Sequence, residues 1–159
     1  MIGVKFITVG NLKEGYLRDA AAEYEKRLSA FCKFEMIQLK EEKLSEKPSA
    51  AEINNALERE AVKIMDCVSS RSYCIAMCVE GTQLSSEDFA EKLERISEGY
   101  GEICFIIGSS FGLAPSVKSA CHMKMSVSKL TFPHQLMRVL LLEAVYRAFN
   151  IQKGTRYHK

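Results

Sequence analysis

An α/β domain with a mainly parallel sheet and helices on both faces is the fold class this sequence predicts. Three observations carry it. Short apolar segments alternate with segments of helical period along the whole chain. Several of the apolar segments, such as Cys-Phe-Ile-Ile at 104–107, are apolar without alternation, as in strands covered on both faces. At 159 residues the chain is large enough to bury about two-thirds of its unfolded surface in one core. A single domain over 1–159 follows, since no linker, internal repeat or low-complexity tract interrupts it.

The elements come in order. Ile2 to Val9 alternates, with Val4, Phe6 and Thr8 on one face, and stops at Gly10. Leu17, Ala20, Ala21, Tyr24 and Leu28 recur at three and four, which predicts a helix over about 15–31. Phe34 to Leu39 reads as a second strand, followed by a polar surface loop over 40–48 that is the expected site of mobility. Ser49 with Glu52 three residues on is a capping box and opens a helix to about Val68. Tyr73 to Val79 reads as a buried strand with a turn at Gly81, and Ser85 and Asp88 open a helix to about Tyr100. Glu102 to Ile107 is the fourth strand. A short helix over about 114–121, a strand from Met123 to Val127 and a helix from Pro133 to Phe149 complete the chain. Pro133 suits the first turn of that helix, with Thr131 as a candidate cap.

Composition narrows the function classes. No apolar run approaches the roughly 20 residues that span a bilayer, and no signal peptide is read at the N-terminus, so a cytoplasmic location is expected. The six cysteines form no CxxC pair and lie mostly in apolar segments, as reduced core thiols do. The three histidines show no metal-ligand spacing, so no metal is expected. Charge is polarised. Residues 113–159 hold eight Lys or Arg against the single acid Glu143, while the first 112 hold fourteen bases and nineteen acids. A net of +7 on the C-terminal third calls for an anionic partner.

The candidate site residues fall in the same third. The segment FIIGSSFGL sets Gly108 where a strand ends and a helix is about to begin, the place where ligands gather in parallel sheets. It lacks the lysine of a P-loop and the GxGxxG spacing, so alone it is compatible with a plain turn. SVSKLTFPH at 126–134 is a second loop of the same kind. The helix after it is almost wholly apolar apart from Arg138, Glu143 and Arg147, more than so small a domain can bury. Its remainder is expected to pack on a second copy in a two-fold dimer. The tail carries Lys153, Arg156, Tyr157, His158 and Lys159, basic groups interleaved with an aromatic, as phosphate contact and base stacking require.

Taken together and in order, these motifs resemble the RlmH family of SPOUT-superfamily methyltransferases: IIG with a following Gly and Leu, SVSKLTFPH, MRVLLLEAVYRA and the terminal Tyr-His. The resemblance covers the whole chain. It implies an enzyme that uses S-adenosylmethionine to methylate N3 of a pseudouridine in ribosomal RNA of the large subunit. It also implies a homodimer and a C-terminal trefoil knot that forms the cofactor pocket. Carried onto matching positions, it assigns the cofactor to Met77, Gly108 and the run Val127, Ser128, Lys129, Leu130, Thr131 and Phe132. His158 is then the candidate general base or proton relay, Tyr157 orients the target base, and Arg147 and Arg156 hold imide charge or phosphates. The chain departs from the family at Ser109, where a second glycine is usual, and at Ala144, where a glutamine is usual. A positive φ at 109 would make the serine costly. Two other classes stand beside this one: an RNA-docking module that no longer methylates, and a Rossmann-like nucleotide-binding enzyme.

Overall fold

The computed structural model describes residues 1–159. Its elements are β1 (Gly3–Val9), α1 (Gly15–Leu28), β2 (Lys33–Leu39), α2 (Ala50–Asp66), β3 (Ser72–Thr82), α3 (Ser86–Gly99), β4 (Glu102–Ile107), α4 (Pro115–Ala120), β5 (Met123–Met125) and α5 (His134–Lys153). The strands form one sheet in the order β2-β1-β4-β3-β5, and every pairing is parallel.

Side-chain alternation divides the core into two layers. Val4 and Phe6, Ile75 and Met77, and Ile103, Phe105 and Ile107 point to the face covered by α1, α3 and α5. Their neighbours Ile7, Val9, Cys74, Ala76, Cys104 and Ile106 point to the face covered by α2 and α4. This is the period of two imposed by the pleat. α5 packs between α1 and α3 through Leu141, Leu142, Val145, Ala148 and Phe149. The capping box of α2 is present, with Ser49 and Glu52 each accepting from the other's backbone amide.

Four details differ from the sequence reading. Gly81 is not in a turn, because β3 continues to Thr82. Thr131 does not cap α5; its N-cap is Pro133, and no side chain bonds there. α5 runs four residues past Phe149, to Lys153. The 40–48 loop is tied to α2 by Glu42, which pairs with Lys63 at 2.7 Å and Arg59 at 3.4 Å.

Arg138 is the largest side chain with no exposure at all. Its guanidinium donates to the Gly10 carbonyl at 3.0 Å and to the Gln38 side-chain oxygen at 3.1 Å, with no carboxylate partner. Burial pushes it down to about 10, and its Nε has no acceptor. The arginine ties the start of α5 to the C-terminal ends of β1 and β2. Gln135 adds a bond from the Lys13 amide at 3.1 Å.

Candidate active site

A cavity of about 740 Å3 opens at the C-terminal ends of β3, β4 and β5. Three chain segments and the start of α5 build it. Residues 107–113 form the first wall. Here the Gly112 amide donates to the Ser109 carbonyl at 2.9 Å, closing a tight turn that Gly112 completes at φ +85°. A Cβ on Gly108 would collide with the Gly112 carbonyl, so glycine is required for the turn to fold over. Ser109 is buried with an ordinary φ, since no residue other than glycine has a positive one. The strain anticipated for this serine does not exist.

The second wall is an arch in β3. Met125 of β5 pairs with Met77 and again with Thr82, so residues 78–81 bow out between the two pairings. Cys78, Val79 and Glu80 line the cavity from this arch. Glu80 is paired with Lys118 of α4 at 2.6 Å, and that lysine holds the carboxyl below its usual range. Gly81 lies where a Cβ would come within 2.6 Å of the Met125 amide nitrogen. Backbone-to-backbone approach, not a turn, is what requires glycine there.

Residues 126–133 form the third wall and shape themselves. Buried Ser126 donates to the Ser128 carbonyl at 2.9 Å, and the Ser128 hydroxyl accepts from the Leu130 amide at 3.0 Å. Met77, Gly108, Val127, Ser128, Leu130, Thr131 and Phe132 all line the cavity. Lys129 does not: it is exposed and turned away from the space its neighbours enclose. The walls are mainly apolar, with backbone groups and serine hydroxyls between, and the glycine turn leaves the strand end open. An adenosine bearing a short aliphatic chain suits such a lining.

Among the lining residues, sequence reasoning missed Cys78, Val79, Glu80, Phe111, Lys118, Met125, His134 and Met137. A glycine inside a strand-like run was the one signal of the arch. The sequence marked His134 only as the last residue of the SVSKLTFPH motif and gave it no role.

The tail folds back along α5. Gly154 at φ +67° ends the helix. The Thr155 amide then donates to the Asn150 carbonyl at 3.1 Å, and its hydroxyl bonds the Asn150 side chain at 2.6 Å. The Tyr157 hydroxyl donates to Glu143 at 3.0 Å, and burial and this carboxylate push the phenol up to about 12. Arg147 pairs with the same carboxylate at 2.7 Å and lies 4.8 Å over the Tyr157 ring. Its Nη1 is 3.1 Å from His158 Nδ1. A guanidinium only donates, so Nδ1 accepts, and the neutral ring carries its proton on Nε2. That nitrogen faces Glu87 at 2.7 Å, in the first turn of α3. His158 therefore has a carboxylate partner. Arg156 is exposed and makes no ion pair.

The structure thus assembles two groups of residues. The cofactor candidates other than Lys129 surround one cavity, while Arg147, Tyr157 and His158 form a separate network. None of them, nor Arg156, lines the cavity of its own chain.

The comparisons agree with this geometry. Residues 2–158 match the family described as "Predicted SPOUT methyltransferase". A ribosomal RNA large subunit methyltransferase H of Leuconostoc mesenteroides is 49% identical over 159 residues, covering 99% of this chain and all of that protein. One of the same name from Streptococcus thermophilus is 52% identical over 157 residues, covering 98% of this chain and 99% of the relative. Another from Streptococcus sanguinis is 48% identical over 157 residues, with the same coverage. By family, cavity and full-length identity, the chain belongs to the SPOUT methyltransferases and, among them, to the ribosomal RNA large subunit methyltransferase H family.

Proposed function

We propose that this methyltransferase uses S-adenosylmethionine to methylate N3 of a pseudouridine in large-subunit ribosomal RNA, acting as a homodimer in the cytoplasm. The observation that carries the reading is the pairing of a glycine-turned apolar cavity with a tail outside it whose Lys153, Arg156 and Lys159 make no ion pair. When bound, the cofactor supplies a methyl group already activated on a sulfonium. What remains for the protein is positioning, exclusion of water and handling of one proton.

The residues divide that work. Met77, Leu130 and Phe132 supply apolar walls, and backbone groups of 128–132 read the adenine edge, with Lys129 facing solvent. Gly108 lets the ligand lie against the end of β4. A trefoil knot in this region is part of the proposal. It is supported by the path of the chain, since β5 lies outside β3 while 126–133 returns beside 108–113 before α5 packs on the opposite face from α4.

The tail acts on the RNA. Arg156 and its lysine neighbours contact phosphates. Tyr157 orients the target base and His158 relays the proton, each in the cavity of the second copy, because neither reaches its own. Arg147 stabilises imide charge beside them. Ser109 has an ordinary backbone and so gives no support to a docking module without activity.

Removing Tyr157 to Lys159 tests the assignment. Methylation of ribosomes is expected to fall to background, while adenosylmethionine binding by isothermal titration stays within about threefold. Full activity in the truncated protein would sink it.

A further inference from the structure

His158 has both ring nitrogens engaged, which leaves open what first accepts the imide proton. Four side chains lining the cavity can ionise: Cys78, Glu80, Lys118 and His134. Glu80 and Lys118 are paired with each other. Burial, then Glu80, raises the Cys78 thiol, so it stays protonated. His134 differs. His122 spends a ring nitrogen on the Cys74 amide, and His158 spends both on Arg147 and Glu87, but His134 makes no hydrogen bond or ion pair in the chain.

We propose, within the methyltransferase reading, that His134 is the group that takes the N3 proton of the target base. It is the first residue of α5 and lines the cavity beside Thr131, Phe132 and Met137. Its position is fixed rather than adaptable. One turn on, buried Arg138 fastens the helix to β1 and β2, and Gln135 fastens it to the Lys13 amide. Anchoring of this helix start places the ring at the cavity wall, and with no partner in the chain its nitrogens stay open to the target base.

The surroundings suit an acceptor. Half-burial comes first in lowering the imidazole below its ordinary value, and Arg138 and Lys13 lower it further. Glu41, two residues past the end of β2, is the one facing group that opposes them. Glu80 and Lys118 lie on the same cavity as a mutually neutralised pair. The ring is therefore neutral at neutral pH with a nitrogen lone pair available. In the transfer, the N3–H bond breaks and its proton passes to that nitrogen. The electron pair left on N3 forms the new bond to the methyl carbon, and the C–S pair stays on sulfur. The imidazolium then yields its proton to the tail or to water.

The test uses full-length wild type, His134→Gln and His158→Gln on ribosomes that lack the modification. Wild-type activity checks the methyltransferase reading by itself. For wild type, the single-turnover rate is expected to fall on the acid side as His134 protonates. In His134→Gln it is expected to drop about 100-fold or more, with that acid limb gone and adenosylmethionine affinity within about threefold. His158→Gln should keep the limb. An unchanged rate and limb in His134→Gln would overturn the proposal, as would a rate loss matched by an equal loss of cofactor affinity. Imidazole NMR of the cofactor-free protein gives a readout apart from activity. The signal missing from His134→Gln should titrate below an ordinary histidine and shift when S-adenosylhomocysteine is added; titration at or above the ordinary value would overturn the proposal equally.

Discussion

Positions 108 and 109 show how a single Cβ divides the loop. At 108 a Cβ meets the Gly112 carbonyl, so Gly108→Ala must open the turn that forms one cavity wall. The expected cost is about 1–3 kcal/mol in thermal or denaturant unfolding, with adenosylmethionine affinity reduced at least tenfold by calorimetry. At 109 the side chain is tolerated because φ is ordinary, and its hydroxyl makes only a long contact from the Phe111 amide at 3.4 Å. Restoring the family residue with Ser109→Gly should therefore change affinity by less than about threefold. A tenfold gain would show that the serine does cost binding. From sequence the two residues looked alike, since both sit in GSSFG. Both have an ordinary φ, and only the close approach of the Gly112 backbone to 108 separates them. The same limit hid Arg138 and His134. A charged residue in an amphipathic stretch reads as solvated, and one in a turn reads as loop, until the packing around each is known.

Among elements, the strands were legible because each carries its own pattern, and all five appear within a few residues of where that pattern puts them. The arch in β3 was not. It exists because Met125 pairs twice with β3, and a strand's sequence carries no record of its partner's register. Gly81 is the residue that permits it. Gly81→Ala would push β5 off β3 and shift Met125, Ser126 and Glu80 together, with Ser126 also losing its amide bond to the Thr82 carbonyl. Hydrogen exchange at the Ser126 amide should accelerate markedly, and cofactor affinity should fall. Native-like protection in the variant would show that the arch does not depend on this glycine. The tail was half legible. Its basic, aromatic composition pointed to RNA, but its fold-back rests on the Gly154 cap and on Thr155 and Asn150, which are matters of geometry.

For the whole molecule, the unfinished business is the separation between cavity and tail. α5 buries Leu141, Leu142 and Val145 within its own chain yet leaves Leu140 36% exposed, with Leu136 and Ala144 half-buried nearby. A second copy on this face would cover them and bring a foreign tail within reach of each cavity. Leu140→Arg is expected to halve the mass measured by light scattering while leaving the circular dichroism unchanged. It should also abolish methylation, because each cavity would lack its tail. A variant of full mass would show that the interface lies elsewhere. The sequence indicated that this helix was too apolar for one small domain, but which side was left over depended on how α1 and α3 flank it.

Mass mapping of large-subunit ribosomal RNA decides the account as a whole. Ribosomes from cells lacking the modification would be incubated with the purified protein and adenosylmethionine carrying a labelled methyl group. The account predicts one labelled methyl per large subunit, on N3 of a pseudouridine, dependent on Tyr157 to Lys159. Label on another atom or base, or none with ribosomes that a relative methylates under the same conditions, would contradict it.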